Sequence, residues 1–149
     1  MIKLLKYILV IISANIVKGK GIMKEISLTF KKKNSEDIDL NYLLYLPYNY
    51  QQNQLDYPLV LFLHGVGKRE DNLEKVKIDG IPKWVDEDIN FPFICIAPKC
   101  PKEGYWDRLE LVSSLISLIE EVEDDYRVDP SRFYGTGLNM RELDKLAIA

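Results

Sequence analysis

The sequence is poor in the residues that build metal centres and disulfide frameworks. Its 149 residues include two cysteines, Cys95 and Cys100, and a single histidine, His64. Two cysteines this close in the chain do not make a disulfide framework, and free thiols are favoured over a local bridge between them. One histidine leaves no cluster of Cys and His for zinc. We therefore expect no metal site and no cofactor.

A large excess of charge of one sign is lacking as well. The chain has 20 basic and 23 acidic residues, which gives a formal net charge of -3. Nucleic-acid-binding domains carry a one-sided basic footprint that is absent here. The run of lysines at residues 31–33 fits a solvated loop or strand end better than a phosphate site. We therefore expect no nucleic-acid partner. The proportion of hydrophobic residues, 47%, fits one globular domain.

A hydrophobic run long enough to span a bilayer is also lacking. The N-terminal apolar run covers residues 7–17 and follows two positive charges, Lys3 and Lys6. Polar and glycine residues follow at 18–21. A bilayer needs about 20 apolar residues, whereas a charged start and a short apolar run are typical of a secretory signal. We expect a secretory signal here and no membrane span.

The alternatives for this segment lead to different boundaries. Residues 1–22 are a signal peptide or an N-terminal extension, because Met23 could be the true start. A buried first strand is the remaining interpretation. The interpretation as a signal predicts a secreted or extracytoplasmic protein, with a cytoplasmic one as the alternative. The folded domain is expected to occupy residues 23–149.

From residue 24 the hydrophobic pattern predicts an α/β fold. Ile26, Leu28 and Phe30 alternate with polar residues, as in a half-buried strand, and residues 38–46 follow as an antiparallel partner. Unbroken apolar runs then predict strands covered on both faces, as in a parallel sheet. They lie at residues 58–63, 91–97 and 132–136.

One helix is clearly indicated between the last two predicted strands. Apolar residues recur at spacings of three and four over residues 111–122. Asp107, followed by Glu110, predicts a capping-box start for this helix. A strand, a helix and a strand in succession indicate a parallel sheet.

Four segments in this order resemble the N-terminal half of α/β-hydrolase esterases. They are residues 42–47, 58–67, 91–98 and 126–138. The resemblance is to the phospholipase/carboxylesterase-like or predicted-peptidase type, related to polyhydroxybutyrate depolymerase-like and feruloyl-esterase-like enzymes. It implies a truncated α/β-hydrolase fold: a mostly parallel sheet with an antiparallel N-terminal strand pair, ending just after the nucleophile elbow.

The resemblance implies an oxyanion loop formed by His64, Gly65, Val66 and Gly67. In similar enzymes one backbone N–H of this loop and the N–H after the nucleophile stabilise the developing oxyanion. Those donors would be Val66 and Met140 here. His64 is expected to hold the loop by hydrogen bonds, because the catalytic base of this fold follows the nucleophile in sequence.

The nucleophile elbow departs from the family's Gly-x-Ser-x-Gly pattern. It consists of Gly137, Leu138, Asn139, Met140 and Arg141. The amide of Asn139 cannot replace an activated hydroxyl, and Arg141 replaces the second glycine. The single histidine, His64, precedes the elbow, so we expect this chain to lack the catalytic base and acid.

These departures predict a protein without an intact catalytic residue. We expect a catalytically inactive fragment or degenerate copy of a secreted serine carboxylic-ester hydrolase. The alternative is a non-catalytic pseudoenzyme that binds a small ester or a glycan. A sheet that ends early also exposes an unpaired strand edge, so self-association is expected near Phe133 and Tyr134.

Overall fold

The computed structural model describes residues 24–65, 72–85 and 91–137 of the chain. These residues form a sheet with helices between its later strands, which confirms the predicted α/β class. In chain order they are β1 (Lys24–Phe30), β2 (Leu40–Leu46), a 3-10 turn (Tyr50–Gln52), β3 (Tyr57–Leu63), a 3-10 segment (Leu73–Ile78), α1 (Gly80–Val85), β4 (Ile94–Pro98), α2 (Leu109–Asp125) and β5 (Val128–Gly137).

The described strands form one sheet in the order β1-β2-β4-β3-β5. β2 is antiparallel to both of its neighbours, since Leu44 lies opposite Ile26 on β1 and Ile96 on β4. β3 is parallel to both of its neighbours, with Leu61 opposite Ile96 on β4 and Gly135 on β5. Among these five strands only β2 runs against the others. The mostly parallel sheet with an antiparallel N-terminal pair is confirmed.

Both faces of the sheet are covered, which explains the unbroken apolar run in β3. Leu59, Leu61 and Leu63 belong to the core cluster on the α2 side, and Val60 and Phe62 to the cluster on the other side. Helix α2 presents its apolar stripe to the first cluster, and the 3-10 segment and α1 cover the second. Their core residues are Leu111, Leu115, Leu118, Ile119 and Val122 on α2, and Val76 and Val85 on the opposite side.

Two strands begin later than the sequence predicts. β2 begins at Leu40, because the backbone N–H of Ile38 donates to the Ser114 hydroxyl at 2.8 Å and not to a neighbouring strand. β4 begins at Ile94. The segment before it contains Pro92, which has no N–H to donate. The flanking rings of Phe91 and Phe93 instead pack together, with centroids 3.7 Å apart.

The predicted capping box of α2 is wrong. The N-cap is Arg108, and no side chain caps the helix there. The chain turns immediately before it, because the N–H of Arg108 donates to the carbonyl of Tyr105 at 3.0 Å. Because of this turn the helix begins at Leu109, and Asp107 is not its N-cap residue.

β5 begins earlier than the predicted region. Val128 already pairs with Tyr57, and the next pair joins Leu59 to Phe133. The residues between these pairs bulge out of the ladder.

No helix in the described ranges is long and apolar enough to cross a membrane.

Candidate functional site

The carboxyl ends of β3 and β5 meet at one edge of the sheet. The two strands are adjacent and parallel, and their last paired residues are Leu63 and Gly137. The predicted oxyanion loop starts directly after β3 with His64, and the predicted elbow starts at Gly137. The fold therefore starts the two predicted segments side by side.

Gly137 is required at its position by a close approach of the backbone. A Cβ atom built there would lie 2.4 Å from the carbonyl oxygen of Leu63, well inside van der Waals contact. Only glycine lets β5 come this near to β3 at the end of the ladder. The first residue of the elbow motif is thus explained by packing alone.

His64 is fixed by both nitrogens of its ring. Nδ1 lies 2.8 Å from the carbonyl oxygen of Gly65, and Nε2 lies 2.9 Å from the backbone nitrogen of Cys100. Because a backbone N–H can only donate, Nε2 accepts, and the ring proton of the neutral imidazole is on Nδ1. The residue is only 2% exposed. The imidazole holds the loop in place and has no free nitrogen for a substrate.

Trp106 holds the same loop from the other side. Its indole Nε1 donates to the carbonyl of His64 at 3.1 Å, and its ring meets the imidazole edge-on with centroids 5.5 Å apart. The sequence did not assign this role to Trp106. A usable signal was present, however: Trp106 follows β4, whose carboxyl end lies at the same edge of the sheet as that of β3.

The remaining predicted site residues lie outside the described residues. The backbone donors assigned to the oxyanion hole and the nucleophile position are therefore not placed. These residues are Val66, Gly67, Leu138, Asn139, Met140 and Arg141.

The cysteines do not supply an alternative nucleophile. Both are free and buried, and they belong to the core clusters on opposite faces of the sheet, Cys95 away from α2 and Cys100 towards it. Burial raises the pKa of the Cys95 thiol well above its ordinary value, so the reactive thiolate is disfavoured. Across the described ranges no group of three or more His, Cys, Asp or Glu side chains could hold a metal ion.

A second polar cluster joins the turn between β1 and β2 to helix α2. The carboxylate of Asp37 accepts the Ser113 hydroxyl at 2.5 Å and the backbone N–H groups of Lys33 and Asn34 at 3.2 and 3.3 Å. Asp37 is only 3% exposed. Burial acts to raise the pKa of Asp37, but the hydrogen bonds outweigh it and the pKa lies below its ordinary value. Ser113 thus has a structural role, because it joins helix α2 to the turn between β1 and β2.

An open cavity of about 570 Å³ lies at the other end of α2. Its lining includes Glu123, Asp124 and Asp125 from the last turn of the helix, which contains no basic residue. Arg127 closes one side. Its guanidinium lies 4.1 Å from the ring centroid of Tyr50 and donates to the Tyr50 carbonyl. These contacts of Arg127 hold the turn after β2 against the start of β5, far from the carboxyl ends of β3 and β5.

The five-stranded sheet of the described residues, with its mixed strand order, matches an α/β-hydrolase fold. Several solved structures similar to the chain are esterases. A thermostable esterase is 28% identical with a TM-score of 0.54, and the match covers 76% of this chain and 34% of the esterase. A ferulic acid esterase is 21% identical with a TM-score of 0.63, over 80% of this chain and 50% of its own.

A feruloyl esterase module from Clostridium thermocellum, complexed with sinapinate, is also similar. It is 16% identical with a TM-score of 0.56, and the match covers 84% of this chain and 49% of the module. The chain thus spans half or less of the length of these three proteins. No protein-family model matches the sequence, and no curated protein matches it either.

Proposed function

We propose that this chain is a non-catalytic, esterase-like half-domain. It keeps the scaffold of an α/β-hydrolase esterase and the loop after β3, and it does not hydrolyse esters by itself. The observation that carries this proposal is the environment of His64. The one histidine of the chain is buried, and both ring nitrogens are hydrogen-bonded to the backbone.

A serine hydrolase of the Ser-His-Asp type needs a histidine that can take a proton from the nucleophile and return it to the leaving group. For His64 to do so, Nε2 would have to abandon the N–H of Cys100 and turn towards solvent. That change would leave a buried donor unsatisfied, at a cost of about 1–3 kcal/mol. The nucleophile is the second requirement, and Asn139 at that position has no hydroxyl.

Hydrolysis of p-nitrophenyl acetate and labelling by a fluorophosphonate probe test the proposal. We expect the purified chain to show neither above the level of a heat-denatured sample. The double variant Asn139→Ser and Arg141→Gly restores the pattern of the elbow. It is expected to remain inactive, because His64 is still engaged.

Stoichiometric labelling of the natural chain would overturn the proposal. Activity in the double variant would show that His64 or another group serves as base, and a His64→Gln control would distinguish these two outcomes.

We further propose that the carboxyl edge binds a small ester or glycan carrying an aromatic ring. Tyr105 supports this proposal: it follows the carboxyl end of β4, is 45% exposed and lies under the guanidinium of Arg108 at 5.7 Å. Aromatic rings attract one another in offset-stacked or edge-to-face arrangements, so an exposed ring can pair with a ring of a ligand. Methyl ferulate is a suitable probe, with Tyr48→Ala as the matched control for Tyr105→Ala. NMR shifts that persist equally in both variants would exclude Tyr105 as the contact.

Two other features complete the proposal. Residues 1–22 lie outside the described residues, and we propose that they direct export, since their charge and apolar pattern favour it. Intact-mass measurement of the protein from its host should find the segment removed. Recovery of the full-length chain from the cytosol would contradict this.

We also propose that the chain self-associates through the outer edge of β5.

A further inference from the structure

Lys99 is a buried cation at the carboxyl end of β4. It directly follows the last residue of that strand and is only 8% exposed, although its Nζ atom is not fully enclosed. No described residue forms a hydrogen bond or an ion pair with its ammonium group. Burying a charge is costly unless the charge is paired. Within the described part of the chain, Lys99 therefore lacks the acceptor that its burial requires.

Lys77 shows how the same fold places a lysine that is less deeply buried. Its side chain is 20% exposed, and its ammonium group forms ion pairs with the carboxylates of Glu25 at 2.5 Å and Glu74 at 2.8 Å. Lys99 is more buried and has neither kind of partner among the described residues. The difference between the two lysines suggests that the acceptor of Lys99 comes from a ligand.

Asn41 lies opposite Lys99 across the ladder of β2 and β4. The backbone N–H of Lys99 donates to the carbonyl of Asn41 at 2.8 Å, which continues the pairing of Tyr42 with Pro98 by one residue. Directly opposite residues of an antiparallel pair place their side chains on the same face, with Cβ atoms about 4.5–5.5 Å apart. The amide of Asn41 and the ammonium group of Lys99 therefore start from neighbouring positions on one face. It is the face of Leu43, away from α2.

Thr29, on β1, orients the amide of Asn41. Its hydroxyl donates to Oδ1 of Asn41 at 2.8 Å. The oxygen of the amide is thereby engaged, and its NH2 group remains as a donor, which no described residue accepts. Asn41 is exposed, so a ligand can reach this NH2 group. A charged donor and a neutral donor are thus neighbours at the carboxyl end of β4.

The carboxylate that lies nearest to Asn41 along the chain is already engaged. Asp39 accepts the ammonium group of Lys31 at 2.8 Å and the backbone N–H of Lys32 at 2.9 Å. The exposed Lys31 therefore uses the acceptor that the buried Lys99 does not have. The described residues supply donors at this place and leave the anionic acceptor to a ligand.

We propose that Lys99 and Asn41 bind the carboxylate of a small organic acid at the carboxyl edge of the sheet. Lys99 supplies the positive charge to one oxygen, and the NH2 group of Asn41 donates to the other, because hydrogen bonds to an ionised acceptor are the strong ones. One ammonium group beside a neutral amide matches a single negative charge better than a dianionic phosphate. The site goes beyond the proposed function, since it depends neither on the lack of catalysis nor on Tyr105.

Titration of the full chain with sodium acetate, against sodium chloride at equal ionic strength, tests the site. The NMR signals of the Asn41 NH2 group and of the Lys99 backbone N–H should shift and saturate with acetate and not with chloride. Lys99→Met removes the charge and keeps an unbranched side chain. It should weaken acetate binding about tenfold or more, which corresponds to about 1.4 kcal/mol. Lys32→Met, on an exposed lysine just after β1, is the matched control and should leave binding unchanged.

Thr29→Val tests the orientation of the amide. It keeps the shape of an exposed side chain and removes the hydroxyl that donates to Asn41. Acetate binding should weaken, but less than in Lys99→Met, while the melting temperature stays the same. Inorganic phosphate is the competing ligand. Tighter binding of phosphate than of acetate, saturation that survives in Lys99→Met, or an equal effect of Lys32→Met would overturn the proposal.

Thermal melting separates a binding role of Lys99 from a structural one. A buried charge without a partner destabilises the fold, so Lys99→Met should melt at a higher temperature than the natural chain. Acetate should raise the melting temperature of the natural chain and not that of Lys99→Met, because a ligand stabilises the state that binds it. A lower melting temperature of Lys99→Met would show that the chain itself pairs the ammonium group, and would overturn the proposal. None of these measurements involves ester hydrolysis or methyl ferulate, so failure of this proposal and failure of the proposed function are distinguishable.

Discussion

The backbone N–H of Cys100 donates to Nε2 of His64 over 2.9 Å, and this bond joins the end of β3 to the segment after β4. Both residues are buried. Replacing His64 by alanine leaves that N–H without its acceptor in a buried position, which costs about 1–3 kcal/mol. We expect His64→Ala to lower the free energy of unfolding by at least this amount, measured by urea denaturation.

Tyr48→Ala is a suitable reference for this variant. Tyr48 is exposed, and a surface substitution away from special features changes stability by less than about 0.5 kcal/mol. If His64→Ala unfolds at the same urea concentration as Tyr48→Ala, the hydrogen bonds of the imidazole do not stabilise the loop.

Trp106 offers a finer test of the same contact. Trp106→Phe keeps a ring against the imidazole and removes the indole N–H that donates to the carbonyl of His64. A lost hydrogen bond of this kind costs about 0.5–1.5 kcal/mol. Trp84→Phe is the matched control, since Trp84 is 59% exposed. Chemical denaturation should separate the two variants, and an equal effect of both would disprove the role of the indole N–H.

Gly137 should tolerate no side chain. In Gly137→Ala the new Cβ would meet the carbonyl oxygen of Leu63 at 2.4 Å, so β5 or β3 must move at the end of the ladder. Overpacking of this kind costs about 1–3 kcal/mol. Gly135→Ala, on an exposed residue of the same strand, is the control and should cost less. Thermal melts of the two variants make the comparison; equal melting temperatures would contradict it.

The sequence predicted the strands best where the pattern had one physical cause. Residues 58–63 form β3 because a run without polar residues must be covered on both faces, and the structure covers it so. The starts of β2 and β4 were predicted less accurately. Ile38 and Phe91 continue an apolar pattern, but the Ser114 hydroxyl captures the N–H of Ile38, and Pro92 cannot join a ladder. These causes are tertiary or local, and hydrophobic periodicity does not report either.

The two segments of the candidate site were predicted from the sequence, but the residues that hold His64 in place were not. The His-Gly loop and the elbow are readable because each has a motif. Trp106 and the N–H of Cys100 are joined to His64 only by folding, across long separations in the chain. A backbone donor leaves no trace in the sequence. The serines of α2 were equally hidden, since Ser113 looked like an ordinary polar interruption of the helix until it met Asp37.

The Asp37 cluster makes stability depend on pH in a defined direction. Burial acts to raise the pKa of Asp37, but the hydrogen bonds from Ser113, Ser117 and the backbone outweigh it and lower the pKa in the folded chain. A group whose pKa is lowered by folding stabilises the fold above its unfolded pKa of about 3.9. This contribution is lost as the pH falls through the folded value. Acid should therefore loosen the turn between β1 and β2.

Urea unfolding of Asp37→Asn and of the natural chain at pH 7, 5 and 3 tests this expectation. At pH 7 the variant should be less stable by about 1–3 kcal/mol, because the charged acceptor of the hydrogen bonds from the serine hydroxyls and the backbone is lost. The difference should persist at pH 5 and shrink at pH 3, where protonation of Asp37 begins to remove the same interactions from the natural chain. Glu36→Gln, on an exposed residue of the same turn, is the control. A difference between Asp37→Asn and the natural chain that stays constant from pH 7 to pH 3 would show that the charge of Asp37 does not stabilise the fold.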